Sequence, residues 1–246
     1  MIERLLDADR DLQAVRPSIY SALSFEMQEK ASYDSRATSY DRVVGSWLYN
    51  RLMWGASTAS YRAFANRALS NEDGPLLDAG AGSAVFTAGL YAQAPRPLIL
   101  VDQSIGMLEA ARNRISKQAG GQLPDTLTLL QANAADLPLE PESVNTVLSM
   151  TLLHLIEDVV GLLTELFRIL KPGGTLFATS LVTDRMLGRP YLRLLHKAGE
   201  IAAPRTQRAL EHLVAEAFGH TPELDERETW PSSGSRRHDS HPCLLG

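Results

Sequence analysis

Short apolar runs alternate with helix-length segments between residues 75 and 182, and this alternation constrains the fold more than any other feature. Five apolar runs are typical of buried strands: PLLDAG, RPLILVD, TLTLLQAN, VNTVLSM and GTLFATSLV. Three of the segments between them are typical of helices: SAVFTAGLYAQA, IGMLEAARNRISKQ and VVGLLTELFRIL. Strands that are apolar throughout are buried on both faces. The pattern therefore predicts an α/β fold with a doubly wound, mostly parallel sheet.

The chain divides into three predicted parts. Residues 1–70 contain two stretches of helical periodicity, YDRVVGSWLYNRLMWG and STASYRAFANRAL, and we expect an N-terminal helical cap or lid there. Residues 71–183 are expected to form the core that binds a ligand. Residues 184–246 are expected to add two lid helices, DRMLGRPYLRLLHKAGE and TQRALEHLVAEAFG, and a C-terminal sheet edge that includes ELDERETW.

Composition and charge argue against several classes of protein. A net charge of −5 implies no broad basic field, which argues against a nucleic-acid partner. The single cysteine, Cys243, excludes a disulfide framework within one chain and a cysteine-rich metal site. No apolar run approaches the roughly 20 residues of a membrane span, and the charged N-terminus lacks a signal-peptide core. We expect a cytoplasmic protein without a metal or a membrane partner, and a homodimer stays open.

Two glycines, Gly80 and Gly82, lie between the first predicted strand and the helix that follows. Glycine at this place lets the backbone pass close to a ligand, because no Cβ is in the way. A dinucleotide site favours a third glycine in the pattern G-x-G-x-x-G, where this chain has Val85. No Gly-Lys-Ser/Thr follows, so a P-loop is absent. An ordinary structural turn remains an alternative.

Asp102 ends the second predicted strand, 20 residues beyond Gly82. A carboxylate at this point accepts hydrogen bonds from both hydroxyl groups of a ribose. The alternative is an acidic residue that favours the helix N-terminus behind it, where Ser104 is a candidate cap. The glycine turn and Asp102 together, each at the carboxyl end of a strand, favour an adenosine-containing ligand.

Four segments in this order resemble the class I S-adenosylmethionine-dependent methyltransferases, in particular the group that acts on small molecules: LLDAGAGSAVF, LVDQSIGMLEAAR, ANAADLPLEPESVNTVLSMTLLHLIED and ELFRILKPGGTLF. The resemblance covers about Tyr33 to Val182. It implies a Rossmann-like, seven-stranded sheet of the methyltransferase type and S-adenosylmethionine as cofactor. The implied activity is in-line transfer of a methyl group to a small-molecule acceptor.

The resemblance implies a role for each end of the cofactor. Asp78 and the turn Gly80, Ala81 and Gly82 would face the methionine part, with Tyr40 as a further contact to its amino-acid end. Asp102 would bind the ribose. Four residues would lie around the adenine: Gln103, Met107, Asn133 and Ala134. Met150 and Thr151 would face the transferable methyl group.

His154, just past the fourth predicted strand, is the histidine best placed to act as a general base if the acceptor carries a proton. A structural role for His154 is the alternative. The aromatic residues of the N-terminal segment, Tyr33, Trp47 and Trp54, are candidates for an acceptor pocket or for core packing.

Two other functions remain open on the sequence. One is a nicotinamide-dependent reductase, which Val85 disfavours. The other is a cofactor-binding protein that uses the bound sulfonium for chemistry other than transfer, such as a cyclisation. The C-terminus departs from the family pattern: two longer strands, the last antiparallel, are expected there, and ELDERETW and HPCLLG match them poorly.

Overall fold

The computed structural model describes residue 2 and residues 5–8, 10–24, 58–184, 188–199, 201–218 and 243–245. Several predicted features lie outside these residues. They are Tyr40, Tyr33, Trp47 and Trp54 of the N-terminal segment and the stretch ELDERETW near the C-terminus. Their predicted roles stay predictions.

Eight strands and six helices are present among the described residues. The strands are β1 (Gln13–Arg16), β2 (Ile19–Ser21), β3 (Leu76–Ala79), β4 (Leu98–Asp102), β5 (Leu127–Gln131), β6 (Val144–Met150), β7 (Leu170–Thr179) and β8 (Cys243–Leu245). The helices are α1 (Thr58–Asn71), α2 (Ala88–Tyr91), α3 (Ile105–Gln118), α4 (Val159–Arg168), α5 (Gly188–Lys197) and α6 (Gln207–Phe218). A short 3₁₀ helix, Leu153–Leu155, follows β6.

The strands form one sheet in the order β1-β2-β5-β4-β3-β6-β7-β8. Every neighbouring pair is parallel except β1 with β2. The chain runs outward from β3 to β5 and then returns to β6 on the other side of β3, which creates a topological switch point. The predicted doubly wound, mostly parallel α/β fold is confirmed.

Apolar side chains on both faces of the sheet hold the helices in place. On one face, Leu77 belongs to a buried cluster that includes Leu162 of α4 and Val214 of α6. On the other face, Leu76 belongs to a cluster that includes Phe64 of α1 and Leu108 of α3. Alternate residues of a strand point to opposite faces, so the continuous apolar runs are what a sheet covered on both sides requires.

The N-terminal part differs from the expected helical cap at residues 13–21, which form the β1–β2 hairpin. The turn of this hairpin contains Pro17 and Ser18, and Ser18 has a φ of 62°. Ile19 is fully buried where β2 pairs with β5. This pairing joins residues more than 100 positions apart, so the local pattern does not reveal it. The predicted boundaries of the three parts stay predictions.

The opposite edge of the sheet ends in a short parallel strand. Cys243–Leu245 of β8 pairs with Leu176, Phe177 and Ala178 of β7 in parallel register. Among the described residues, this strand occupies the place where the family pattern predicts a longer antiparallel pair. The described part of this edge therefore differs from the family pattern in the length and direction of its strand.

Candidate active site

The carboxyl ends of β3, β4, β5 and β6 lie side by side at one end of the sheet. Asp78 of β3 is in register with Leu100 of β4 and Leu148 of β6. Asp102 of β4 is in register with Gln131 of β5. Ligands of open α/β sheets bind outside the carboxyl ends of the strands at such a switch point. The candidate site is therefore formed by the carboxyl ends of these four strands and the loops that follow them.

The glycine turn follows β3 and is held by the neighbouring strand. The N–H groups of Gly80 and Ala81 both donate to the carbonyl oxygen of Val101, at 2.9 Å. Gly80 and Gly82 have φ values of +74° and +55°, which glycine adopts at little cost. A Cβ on Gly80 would lie 3.0 Å from Leu152 Cδ1, whereas a Cβ on Gly82 would meet nothing within 4 Å. The turn thus packs closely at Gly80 and leaves open space at Gly82.

Asp102 is fixed between the glycine turn and the start of α3. Its Oδ2 accepts a hydrogen bond from the N–H of Gly82 at 2.9 Å, and its Oδ1 accepts one from the N–H of Ser104 at 2.9 Å. Each carboxylate oxygen has more than one lone-pair site, so both can accept a further donor. Ser104 also caps α3 as predicted, since its side chain accepts from the N–H of Met107 at 3.2 Å.

A chain of side-chain amides continues from β4 to β5. Gln103 Nε2 donates to Asn133 Oδ1 at 3.1 Å, and the N–H of Ala135 donates to the same oxygen at 3.1 Å. Gln131 Nε2 donates to the carbonyl oxygen of Gln103 at 3.0 Å. The structure therefore joins two of the residues predicted for the adenine, Gln103 and Asn133. Of the other two, Met107 is in the first turn of α3 and Ala134 follows Asn133 in the chain. Their contacts with the adenine stay predictions.

Gln131 is a member of this network that sequence reasoning missed. Its side chain is 1% exposed, and its Oε1 has no hydrogen-bond partner among the described residues. The available signal was an amide at the end of β5, after a run of leucine and threonine. Buried amides are nearly always hydrogen-bonded, so a polar residue in that place indicates a contact with the neighbouring loop.

Asp78 lies within β3 and is only 1% exposed. Its Oδ2 accepts a hydrogen bond from the hydroxyl group of Tyr91 at 2.5 Å, and its Oδ1 has no partner among the described residues. Burial raises the pKa of Asp78 to about 7; the Tyr91 hydrogen bond opposes this shift, and the charge of Asp102 adds to it. Asp78 therefore exchanges a proton near neutral pH.

The carboxyl end of β6 carries a strained residue. Thr151 has a φ of +57°, which is uncommon for a β-branched side chain. Its N–H donates to both the carbonyl oxygen and Oγ1 of Thr179, each at 3.1 Å. Strain of this kind persists where the surroundings over-determine the backbone, and it is frequent at functional sites. Met150, predicted beside the methyl group, precedes this residue at the end of β6.

His154 is in the 3₁₀ helix after β6. Its side chain is largely buried, and its Nδ1 is buried without a hydrogen-bond partner among the described residues. Burial lowers the pKa of His154 to about 4, so the imidazole is neutral at pH 7. Its carbonyl oxygen accepts from the N–H of Ala202 at 3.1 Å, which attaches the segment before α6 to this helix.

A cavity of about 590 Å³ lies away from the candidate site, next to the end of α1 and the turn after α2. These ends precede β3 and β4, so the cavity is at the amino side of the sheet. Within the described ranges no cluster of three or more metal-binding side chains is found. The described helices also include none long and apolar enough to cross a membrane.

Comparisons with known proteins agree with this geometry. A family model described as a methyltransferase domain matches residues 77–178. A demethylmenaquinone methyltransferase of Clavibacter sepedonicus is 28% identical over 207 residues, which are 83% of this chain and 76% of that protein. A ubiquinone/menaquinone biosynthesis C-methyltransferase of Syntrophotalea carbinolica is 32% identical over 141 residues, which are 56% of this chain and 57% of the relative.

Solved structures give the same class. A possible histamine N-methyltransferase of Thermotoga maritima, described as S-adenosylmethionine-dependent, superposes with a TM-score of 0.53 at 25% identity and covers 73% of this chain and 79% of that one. A phospholethanolamine N-methyltransferase of Haemonchus contortus, with bound S-adenosylhomocysteine, has a TM-score of 0.56 at 19% identity. It covers 79% of this chain and 44% of its own, and it shows the fold alone.

The switch-point sheet, the glycine turn and the matched domain define a Rossmann-like methyltransferase. The match over residues 77–178 and the similar proteins support a class I S-adenosylmethionine-dependent methyltransferase that acts on a small-molecule acceptor. The predicted family, activity and cofactor are confirmed, and the reductase alternative is not supported. The residues present fit the cofactor: the space at Gly82 is open, and the buried Asp78 Oδ1 has no donor among the described residues.

Proposed function

We propose that S-adenosylmethionine binds across the carboxyl ends of β3, β4 and β5, with its methyl group toward the end of β6. Asp102 would accept the ribose hydroxyl groups. Its two hydrogen bonds from backbone N–H groups, on Gly82 and Ser104, carry this proposal most directly. They fix the plane of the carboxylate before any ligand arrives, which is the preorganisation that tight binding requires.

The remaining cofactor contacts follow from the same arrangement. The amide network of Gln103, Gln131 and Asn133 would form the wall beside the adenine. The open space at Gly82 would admit the part of the cofactor that joins the ribose to the methionine. Because strand ends and helix caps hold these groups, the cofactor would bind in one orientation.

When bound, S-adenosylmethionine supplies an electrophilic methyl group on a positively charged sulfur atom. The chain would contribute alignment and the exclusion of water more than acid–base chemistry. Met150 and Thr151 would lie beside the methyl group. The strained backbone of Thr151 fixes the direction in which β6 ends, and this fixed geometry supports a role in aligning the acceptor.

We propose that the acceptor is neutral and mainly apolar where it reacts. Met150, Thr151 and Leu152, at the end of β6, carry no charge, and His154 is neutral at pH 7. Neutral imidazole has one nitrogen that donates and one that accepts a hydrogen bond. Because its Nδ1 is buried, the other ring nitrogen of His154 would be the one to orient a polar group of the acceptor. With a pKa of about 4, it is a weak base at neutral pH.

Demethylmenaquinone is the first acceptor to test, because it stands in the name of several relatives. Binding of S-adenosylmethionine would be measured by titration calorimetry, and turnover by the formation of S-adenosylhomocysteine with and without demethylmenaquinone. The proposal predicts cofactor binding at micromolar concentrations and product formation that requires the acceptor. Cofactor binding without turnover would reject this acceptor, and no binding at millimolar concentrations would reject the site.

Nucleic acid, membrane and a second copy of the chain are not part of this proposal. The net charge of −5 argues against a polyanionic acceptor. The homodimer and the cytoplasmic location stay predictions from the sequence. Light scattering would test the first, and fractionation of cells that express the protein would test the second.

A further inference from the structure

Tyr91 lies against the strand that leads into the glycine turn, although its position in the sequence suggests only a core residue. It is the last residue of α2 and is fully buried. Its hydroxyl group donates to Asp78 Oδ2 at 2.5 Å. Thr87, one helical turn earlier, hydrogen-bonds to the same hydroxyl group. The orientation of the tyrosine is therefore fixed from two sides.

The Asp78 carboxylate depends on this one tyrosine. Its second oxygen, Oδ1, is buried without a partner among the described residues. The residues in register with it on the two neighbouring strands, Leu100 and Leu148, are uncharged. The other charged group that acts on it is Asp102 at the end of β4, which repels it. Tyr91 is thus the partner that favours the ionised form of Asp78.

The balance of these effects lies near neutral pH. Burial raises the pKa of Asp78 to about 7, and the Tyr91 hydrogen bond keeps it from rising further. Burial raises the pKa of Tyr91 well above its usual value, and the Asp78 charge adds to that shift. Tyr91 therefore remains a donor at every pH at which the protein would be studied. Loss of its hydroxyl group would leave Asp78 mostly protonated at pH 7.

The proposed cofactor carries positive charge that would offset the negative charge of the two carboxylates, Asp78 and Asp102. S-adenosylmethionine carries a positive sulfonium and a positive amino group, whereas Asp78 and Asp102 are two negative groups next to one glycine turn. A buried charge is screened far less than an exposed one, so it acts on a cation without direct contact. A cation at the turn would lower the pKa of Asp78 and release its proton.

We propose that Tyr91 is a positioning residue of this enzyme: its hydroxyl group holds Asp78 as a buried negative charge that attracts the cationic amino-acid end of the cofactor. The inference rests on the proposed binding site. It adds a residue whose effect is transmitted through Asp78 and is therefore specific for the charged part of the ligand. The adenosine part should be indifferent to it.

The test is titration calorimetry at pH 6.5 in two buffers of different ionisation enthalpy, which counts the protons released on binding. Two probes are compared: S-adenosylmethionine, and 5′-methylthioadenosine, which lacks the amino-acid part and the positive charge. For the wild-type protein we expect S-adenosylmethionine to release about half a proton or more, because Asp78 is largely protonated at this pH. We expect 5′-methylthioadenosine to release none.

Three variants assign the proton and the effect. Tyr91→Phe should release close to a full proton and bind S-adenosylmethionine about tenfold more weakly, with unchanged binding of 5′-methylthioadenosine. Asp78→Asn should release no proton. The matched control is Thr146→Val, which removes another buried hydroxyl group, the acceptor of a bond from Arg96 Nη2 at 3.1 Å. It should lower stability without changing either quantity.

The outcomes separate this inference from the proposed function. If the wild-type protein binds neither probe, the proposed site is wrong. If it binds both with equal proton release, or if Tyr91→Phe weakens both probes equally, the site stands and the role of Tyr91 is overturned. If Tyr91→Phe does not fold, the wild-type protein still tests the premise that Asp78 ionises when the cation binds: equal proton release with both probes overturns the inference.

Discussion

The two ends of the site bury titratable groups in opposite ways. At the β3 end, Asp78 has a pKa raised to about 7 and one strong partner, Tyr91. At the β6 end, His154 has a pKa lowered to about 4, and its Nδ1 has no partner among the described residues. Burial disfavours the charged form in both cases. The difference is that a hydrogen bond from Tyr91 favours the charged form of Asp78 at the β3 end. At the β6 end, burial is the effect that acts on His154.

This contrast matches the two tasks of a methyltransferase. The cofactor is constant and positively charged, so its end of the site combines carboxylates with fixed backbone donors. Asp102, between Gly82 and Ser104, is the clearest case. The acceptor differs between relatives, and its end of the site is neutral with a strained backbone at Thr151. In the proposed binding mode, the charged half would hold its ligand by electrostatics and the neutral half by shape.

The largest expected effect concerns Asp78. Its raised pKa means that its contribution to stability is present below about pH 4 and lost as the pH rises through 7. Asp78→Asn removes this dependence. Relative to the wild type, the variant without ligand should therefore gain stability between pH 4 and pH 8, by about 4 kcal/mol. Chemical unfolding over this pH range measures the gain. A constant difference between the two proteins would show that Asp78 ionises normally.

Asp102→Ala should weaken the affinity for S-adenosylhomocysteine about 100-fold or more, since two hydrogen bonds to a charged group are lost. The matched control is Asp158→Ala. Asp158 also accepts a backbone N–H at a helix start, from Gly161 at 2.8 Å, but it caps α4. Calorimetry should find the control affinity unchanged. Equal losses in the two variants would mean that helix capping, and not ribose binding, explains the effect.

His154 gives a smaller effect of the opposite sign. Because its pKa is lowered, its contribution to stability is present above about pH 6.5 and lost as the pH falls through 4. His154→Gln should remove a loss on the order of 2 kcal/mol between pH 7 and pH 4. Thermal unfolding across this range tests it, with the exposed His212→Gln as control. Identical pH profiles for wild type and His154→Gln would contradict the burial of the imidazole.

Thr151→Gly is expected to have the smallest effect on stability and a clear effect on activity. Relief of the left-handed strain should raise the unfolding free energy by up to about 1 kcal/mol, while looser alignment lowers kcat. Ser18→Gly is the control, because Ser18 has a φ of 62° in the remote β1–β2 turn. It should gain stability without loss of kcat. An unchanged kcat in Thr151→Gly would remove Thr151 from the account.

The sequence predicts the parts of the fold that local patterns encode. Apolar runs locate β3 to β7, and Ser104 marks the start of α3, because periodicity and capping are properties of neighbouring residues. The β1–β2 hairpin is not predictable in this way, since its stability comes from pairing with β5. The first helix after the glycine turn is also shorter than predicted. Ala84 adopts a φ of 53°, which interrupts the helical pattern before Ala88.

The site shows the same division. Asp102 and the glycines are recognisable because their spacing is itself the signal. Tyr91 and Gln131 are not, because an aromatic residue on a helix and an amide in a strand have many other uses. Only the folded chain brings Tyr91 to Asp78 and Gln131 to Gln103. Contacts that depend on side-chain direction across elements are thus the part that sequence alone does not supply.

A crystal structure of the complex with S-adenosylhomocysteine tests the central claim most directly. The account predicts that the two ribose hydroxyl groups lie within hydrogen-bonding distance of the two Asp102 carboxylate oxygens, with the sulfur atom turned toward Thr151 at the end of β6. A nucleoside bound elsewhere would contradict it. One such place is the cavity beside Asn66 and Gln93, at the amino side of the sheet.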